Sequence, residues 1–299
     1  MIKTDSVHKT VLLQEAIDGL NLRDGATVVD ATFGGGGHSL EICQRYPNVK
    51  IIALDQDKSV FAKGDKFRGC NISFINKNFR NMNEVVREKV NGIIFDLGLS
   101  SDQLENSGRG FSFMKSEPLL MTMKENPQPE DLTAMDVVNT WSEENLAKII
   151  YGYGEERFSR KIAKAIVERR KGKKIETTFD LVEVIKEAMP AKYRNGKIPK
   201  KIHCATKTFQ AIRIAVNDEL GALSEGLEKG FKLLKKGGRV SVISFHSLED
   251  RVVKRFYKTK QIEGNGKLIN KKVILAKESE IKNNPRARSA KLRILEKIE

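Results

Sequence analysis

No apolar run in this chain approaches the roughly 20 residues of a membrane span. The opening residues, Met1-Ile-Lys-Thr-Asp5, lack the basic-then-apolar pattern of a secretory leader. A soluble, cytoplasmic protein is therefore expected. Cysteine is scarce: Cys43, Cys70 and Cys204 stand far apart with no CxxC pair. That excludes a zinc-ribbon pattern and suits buried thiols in a reducing compartment. The four histidines, His8, His38, His203 and His246, form neither HExxH nor HxH, so no metal is expected. Internal repeats and low-complexity segments are absent. Acidic residues are in deficit, 39 against 54 Lys and Arg, giving a formal charge of +15. A surplus of that size opposes compaction through self-repulsion and usually serves an anionic partner. Nucleic acid is the first candidate, an anionic membrane surface the second, and a solvated basic surface the bland reading.

What is present reads as α/β. Ala26–Asp30, Val49–Leu54, Asn71–Ile75, Gly92–Phe95, Arg239–Phe245 and Ala290–Leu295 are strand-like runs, mostly apolar. Continuous apolar strands alternating with helical stretches imply a parallel sheet covered on both faces. After about Ser107 the chain turns polar and helical. Phe158, Ile162 and Ile166 mark one helix over 155–170, with Arg157, Arg160, Lys161, Lys164, Arg169 and Arg170 around it. Leu181 to Ala188 marks another, stopped by Pro190. A long stripe from Phe209 to Leu234 reads as a single helix, Leu248–Tyr257 as a second, and Lys258–Pro285 as a surface loop. The economical architecture is a doubly wound, Rossmann-like domain, 1–106 and 208–299, carrying a helical insertion over 107–207.

The first strand opens into Thr32-Phe-Gly-Gly-Gly-Gly-His38. Glycines there let backbone approach a ligand at the carboxyl edge of the sheet. Asp55 follows Gly34 by 21 residues, at the end of the next strand, where a carboxylate can accept hydrogen bonds from both hydroxyls of a ribose. The loop is not a dinucleotide fingerprint. Read from Gly34 or Gly35, GxGxxG puts Ser39 or Leu40 at its third glycine, and no GxxxxGK[ST] loop exists. An adenosine-bearing ligand without pyrophosphate fits better, and S-adenosylmethionine is the common one. The fourth strand ends in Asp96-Leu-Gly-Leu-Ser-Ser101, a short polar motif where a substrate amine could meet a methyl donor. Acceptors there would pull the amine protons out of the ring plane and localise its lone pair. Asp96 is the candidate acceptor, with a capping carboxylate as the plainer reading. His246, just after a strand at the same edge, is the best-placed histidine. Phe111 and Phe113 are core aromatics by default and base-stacking candidates at a site's rim.

Taken together, the sequence resembles the bacterial small-subunit rRNA cytosine-N4 methyltransferases, the MraW or RsmH family. The stretches that carry the likeness are His8–Leu13, Thr32–Ser39, Asp96–Ser101, Arg109–Met114, Tyr153–Phe158, Thr208–Ile214, Ser244–Arg251 and Asn284–Ser289. The resemblance implies a class I methyltransferase fold with an inserted helical domain for RNA recognition. It implies S-adenosylmethionine as cofactor, 16S rRNA or the small subunit as partner rather than DNA or membrane, and N4-methylation of a decoding-region cytosine. Cofactor contacts carry over to Gly36, Gly37, His38, Asp55, Phe79, Asp96 and Gln103, catalysis to Asp96. Candidate substrate contacts are Arg109, Phe111, Arg213 and His246 on the matched stretches, and Lys207 just before one of them. Leu120 and Thr122 depart from the family's Asp and Arg, and Cys204 and Lys207 from its Pro and Arg. The alternative is a non-catalytic RNA-binding assembly factor that keeps the cofactor pocket.

Overall fold

The computed structural model describes residues 10–194 and 202–299. The chain divides into two compact units, Met1–Ser100 with Leu220–Glu299, and Ser101–Glu219. The second unit thus extends on both sides of the 107–207 stretch expected from sequence. The first begins with α1 (Leu13–Leu20), β1 (Thr27–Asp30), α2 (Gly37–Arg45) and β2 (Lys50–Asp55). A 3-10 stretch (Lys58–Phe67), β3 (Asn71–Asn76), α3 (Met82–Val85) and β4 (Val90–Asp96) follow. The four strands run parallel in the order β3-β2-β1-β4.

The second unit is helical: α4 (Ser101–Glu105), α5 (Ala134–Thr140), α6 (Glu143–Gly152), α7 (Ser159–Gly172), α8 (Thr178–Ala188), α9 (Ala191–Arg194) and α10 (Thr206–Asn217). Capping boxes at Thr133/Asp136 and Thr177/Asp180 start α5 and α8, satisfying helix N–H groups that would otherwise lack acceptors. Helix α7 buries Ser159, Ile162, Ala163 and Ile166 and exposes Arg160, Lys161 and Lys164. It starts four residues later than expected, and Phe158 is its half-buried N-cap rather than part of the buried stripe. Lys197, Lys200 and Lys201 lie outside the described residues, as do His8 and Lys9.

The chain then returns through α11 (Glu219–Leu233), β5 (Leu234–Ser244), α12 (Ser247–Ile262), β6 (Gly266–Leu268), β7 (Ile274–Leu275), α13 (Glu278–Asn283) and β8 (Lys291–Lys297). β5 joins β4 in parallel, and β8 lies antiparallel beside it, with β6 and β7 on its far edge. Three expectations need correcting here. The 209–234 stripe is two helices, because Asp218 adopts a left-handed conformation (φ 45°) that closes α10. The 258–285 stretch is largely built, holding the end of α12, two short strands and α13. Cys43 on α2 and Cys70 before β3 form a disulfide, with Cα atoms 5.7 Å apart, and Cys204 alone is free. Sequence separation hid that pair, because only the fold brings α2 beside the end of the 3-10 stretch.

Consecutive strand residues point to opposite faces, and here both faces are covered. Val29, Ile52, Ile93 and Phe95 pack with Leu223, Leu227 and Phe231 of α11 and Val253 and Tyr257 of α12. Val28, Ile51, Ile94 and Ile243 pack with Leu12, Ile17 and Leu20 at α1 and Ile42 of α2. That double burial is why the strands read as unbroken apolar runs.

A candidate ligand site at the carboxyl edge of the sheet

β1, β2 and β4 each end in an aspartate, so Asp30, Asp55 and Asp96 sit at one edge of the sheet. Each organises the loop that follows β1. Asp30 is buried and accepts the Ser39 hydroxyl at 2.6 Å and the Thr32 N–H at 3.2 Å, fixing the start of α2. Asp55 accepts the Gly34 N–H at 2.8 Å and the Asp57 N–H at 2.9 Å. A carboxylate has about four acceptor positions, so Asp55 keeps capacity for a ligand. The Asp96 N–H donates to Thr32 Oγ1 at 2.6 Å, while its Oδ2 lies 3.7 Å from His38 Nδ1. Its other oxygen, Oδ1, is buried and has no hydrogen-bond partner among the described residues.

Gly36 holds φ at +71°, and a Cβ there would meet the rings of Phe33 and Phe67 at 2.6 and 2.8 Å. At Gly37 it would strike Thr10 Oγ1 at 1.8 Å. The loop can therefore take its tight form only with glycine at both positions. Beneath it Phe33, Phe61, Phe67 and Phe74 stack edge-on and tilted, 5.2–5.6 Å between centroids. Phe79 packs edge-on against Phe95 at 5.4 Å, at the carboxyl end of β3.

Removal from water raises the acids at this edge, because burial penalises their charged form. Desolvation lifts Asp30 and Asp55 each to about 6 against the hydrogen bonds they accept. Asp96 goes to about 8, through desolvation first and then the nearby charges of Asp30 and Glu249. Glu249, 3% exposed, accepts the Phe245 N–H at 2.8 Å and closes a capping box with His246 at the start of α12. An edge that crowds carboxylates and leaves one acceptor unfilled suits a ligand with positive charge and hydrogen-bond donors.

Gly36, Gly37, His38, Asp55, Phe79, Asp96 and His246 all belong to the first unit, and the sheet edge gathers the aspartates with the glycine loop. The other expected contacts belong to the second unit. Gln103 is buried on α4. Arg109 is buried, donating to the Met123 carbonyl at 3.0 Å, and lies 5.5 Å from the buried Phe111 ring. Arg213 is spent on a two-pronged ion pair with Glu219 at 2.7 and 2.8 Å. Lys207 donates to the Glu155 carbonyl at 2.7 Å. The departures at Leu120 and Thr122 fall in a strap that Asn217 ties down through Met121 and Met123, with Thr122 buried. Asp30 and Glu249 were not singled out from sequence. An acid closing an apolar strand just before a glycine run was the available signal for Asp30, while Glu249 showed only as a capping-box acid.

The chain is similar to known proteins over nearly its whole length. The model of the MraW methylase family matches residues 5–298. Ribosomal RNA small subunit methyltransferase H of Lactobacillus johnsonii is 44% identical over 321 residues, covering 97% of this chain and 99% of its own. Its counterpart from Limosilactobacillus fermentum is 42% identical over 316 residues, covering 97% and 98%. A solved rRNA methylase from Streptococcus thermophilus overlays 97% of this chain and 98% of its own, at 13% identity and a TM-score of 0.47. On the strength of a family match and relatives that both run nearly end to end, the chain belongs to the MraW methylase family.

Proposed function

We propose that this protein methylates N4 of a cytosine in the decoding region of 16S rRNA, with S-adenosylmethionine as donor, in the cytoplasm. The observation that carries the reading is Asp96, whose Oδ1 is buried without a partner among the described residues, at the sheet edge beside the glycine loop. S-adenosylmethionine supplies an electrophilic methyl group on a positively charged sulfur. The cluster of Asp30, Asp55, Asp96 and Glu249 suits that charge. Gly36, Gly37 and His38 would form the floor of its pocket, Asp55 would accept from the ribose, and Phe79 would add a contact.

Asp96 would accept a hydrogen bond from the cytosine amine and turn its lone pair out of the ring plane as the N–C bond forms and the C–S bond breaks. The methylated nitrogen is strongly acidic and sheds its extra proton to Asp96 or to water, so the chain needs no strong base. Positioning two reactants supplies up to roughly 7–11 kcal/mol of the barrier, which suits a site built of backbone ties rather than of nucleophiles. The target base must leave its stack to enter such a site.

The test is transfer of labelled methyl to small subunits lacking the modification, followed by nucleoside analysis. N4-methylcytidine is expected. C5-methylcytidine would overturn the mechanism, because that chemistry needs a cysteine nucleophile, and Cys43 and Cys70 are joined to each other.

A further inference from the structure

We infer that the exposed face of α12, on the methyltransferase unit itself, is a phosphate-binding track for single-stranded RNA. The inference rests on RNA being the substrate, and it places recognition outside the helical insertion. Helix α12 buries Leu248, Glu249, Val253 and Tyr257. Its opposite face exposes Arg251, Lys254, Arg255 and Lys258 and no acidic side chain. These four fall within about 100° of one another around the helix axis and span seven residues, about 10 Å. Neighbours in the row rise by no more than about 5 Å along the axis, within the roughly 8 Å Debye length at physiological salt, so their fields add.

The acids nearby are used elsewhere. Glu228 and Glu263 pair with Lys260, and Asp250 pairs with Arg293 and Lys291. Lys254, Arg255 and Lys258 make no ion pair or hydrogen bond with any described residue. Four like charges on one face repel one another, and a face kept merely for solubility has no need to exclude acids, whereas one that meets phosphates does. The stripe also starts where the chemistry is. Helix α12 follows directly from the carboxyl end of β5, where Ile243 lies in register with Asp96 of β4. Arg251 stands little more than one turn beyond the N-cap His246, so a strand whose base enters at Asp96 would find phosphate partners along the helix. Phosphate contacts of this kind hold register and carry no sequence information.

The test is the salt dependence of binding to an unmethylated small-subunit RNA transcript, with calorimetry of S-adenosylmethionine as a check on folding. K254Q/R255Q/K258Q should weaken RNA binding roughly ten- to a hundredfold near 0.1 M salt and flatten the log–log slope by about 2, some 0.7 per lost contact. Cofactor affinity should not change. The charge-preserving K254R/R255K/K258R should keep the wild-type slope. K232Q/K235Q/K236Q removes the same charge at the opposite, amino edge of the sheet and should also leave the slope alone. An unchanged slope in the α12 variant overturns the track, and so does an equal loss in the amino-edge variant, which would mean a diffuse charge effect. Failure of the wild-type protein to bind the transcript at low salt would remove RNA as substrate, and the track with it.

Discussion

The Asp96 N–H reaches Thr32 Oγ1 at 2.6 Å, tying the end of β4 to the loop after β1. The proposed acceptor and the glycine loop are thereby set by one hydroxyl. Thr32→Val keeps the shape and removes that acceptor, leaving a peptide N–H unsatisfied at a cost of about 1–3 kcal/mol. Turnover should fall together with stability. Asp96→Asn leaves the N–H bond to Thr32 in place and should lower kcat about 10²- to 10³-fold at saturating donor, the range seen when one preorganised transition-state hydrogen bond is lost. Single-turnover kinetics with donor in excess check this, and an unchanged rate in Asp96→Asn would take Asp96 out of the chemistry.

Asp55 serves two ends at once, since the oxygens available to a ribose already hold Gly34 and Asp57. Asp55→Ala should weaken S-adenosylmethionine binding by roughly one to two decades, from about 1.5–3 kcal/mol of lost charge-assisted hydrogen bonding. It should also speed hydrogen exchange at the Gly34 amide. Calorimetry showing wild-type affinity would leave Asp55 as a loop brace only.

The three aspartates give a pH dependence whose sign follows from their displacement. Asp30 and Asp55 titrate near 6 and Asp96 near 8 in the folded protein, all above the ordinary 3.8. The native state then holds more protons than the unfolded chain over that window, so these groups lower stability as pH rises. Their contribution is complete below about 4, declines through 6 for Asp30 and Asp55, and is gone for Asp96 above about 8. His203, held below its ordinary value by burial and by Lys186, works the other way, gaining stability as pH rises past its folded value. The clean observable is therefore the difference between wild type and Asp96→Asn. The urea-midpoint advantage of wild type over Asp96→Asn should shrink as pH climbs from 6 to 9. A gap that widens with pH would contradict the raised acid. For the free enzyme, kcat/KM should rise through about 8 as Asp96 ionises to its accepting form.

The sheet was legible because strands such as β4, whose Gly92-Ile-Ile-Phe95 run is covered on both faces, are apolar at consecutive positions. Asp55 and Asp96 were legible because an acid ending such a run has nothing to do in the core. What escaped was set by contacts distant in sequence or by single backbone angles. Asp218 breaks a stripe whose apolar spacing continues straight through it. Cys43 meets Cys70 only after β2 and the 3-10 stretch have folded between them. Arg213 looked available for RNA until Glu219, six residues on, took both arms of its guanidinium.

The disulfide closes a span of 27 residues that contains β2, Asp55 and Phe67. A loop of that length restricts the unfolded chain by about 3 kcal/mol. Reduction, or Cys43→Ser with Cys70→Ser, should lower the thermal midpoint by several degrees while the secondary structure is retained. Scanning calorimetry with and without a dithiol reductant checks it, and equal midpoints would mean the bridge adds nothing.

The insertion offers a second basic face, and its cations are not equivalent. Arg169 pairs with Glu187 at 3.1 Å and lies 3.8 Å from Glu183, while Arg170 donates to the Val138 carbonyl at 2.8 Å. Both are braces between elements of the second unit. Arg157 lies against the rings of Phe158 and Tyr193, at 4.8 and 4.7 Å. Arg160, Lys161 and Lys164 are the cations of α7 left facing water. If the insertion recognises RNA, R160Q/K161Q/K164Q should flatten the salt dependence of RNA binding by about 2, with the cofactor affinity and thermal midpoint of the wild type. Arg169→Gln should show the reverse, a slightly lower midpoint with little change in slope, because its charge is already met by Glu183 and Glu187 of the same unit and a pair this exposed contributes about 0–1 kcal/mol. Filter binding over a salt series, run beside thermal denaturation, separates the two. A wild-type slope in the triple variant would mean that the basic face of α7 is solvated surface and that RNA is held elsewhere on the protein.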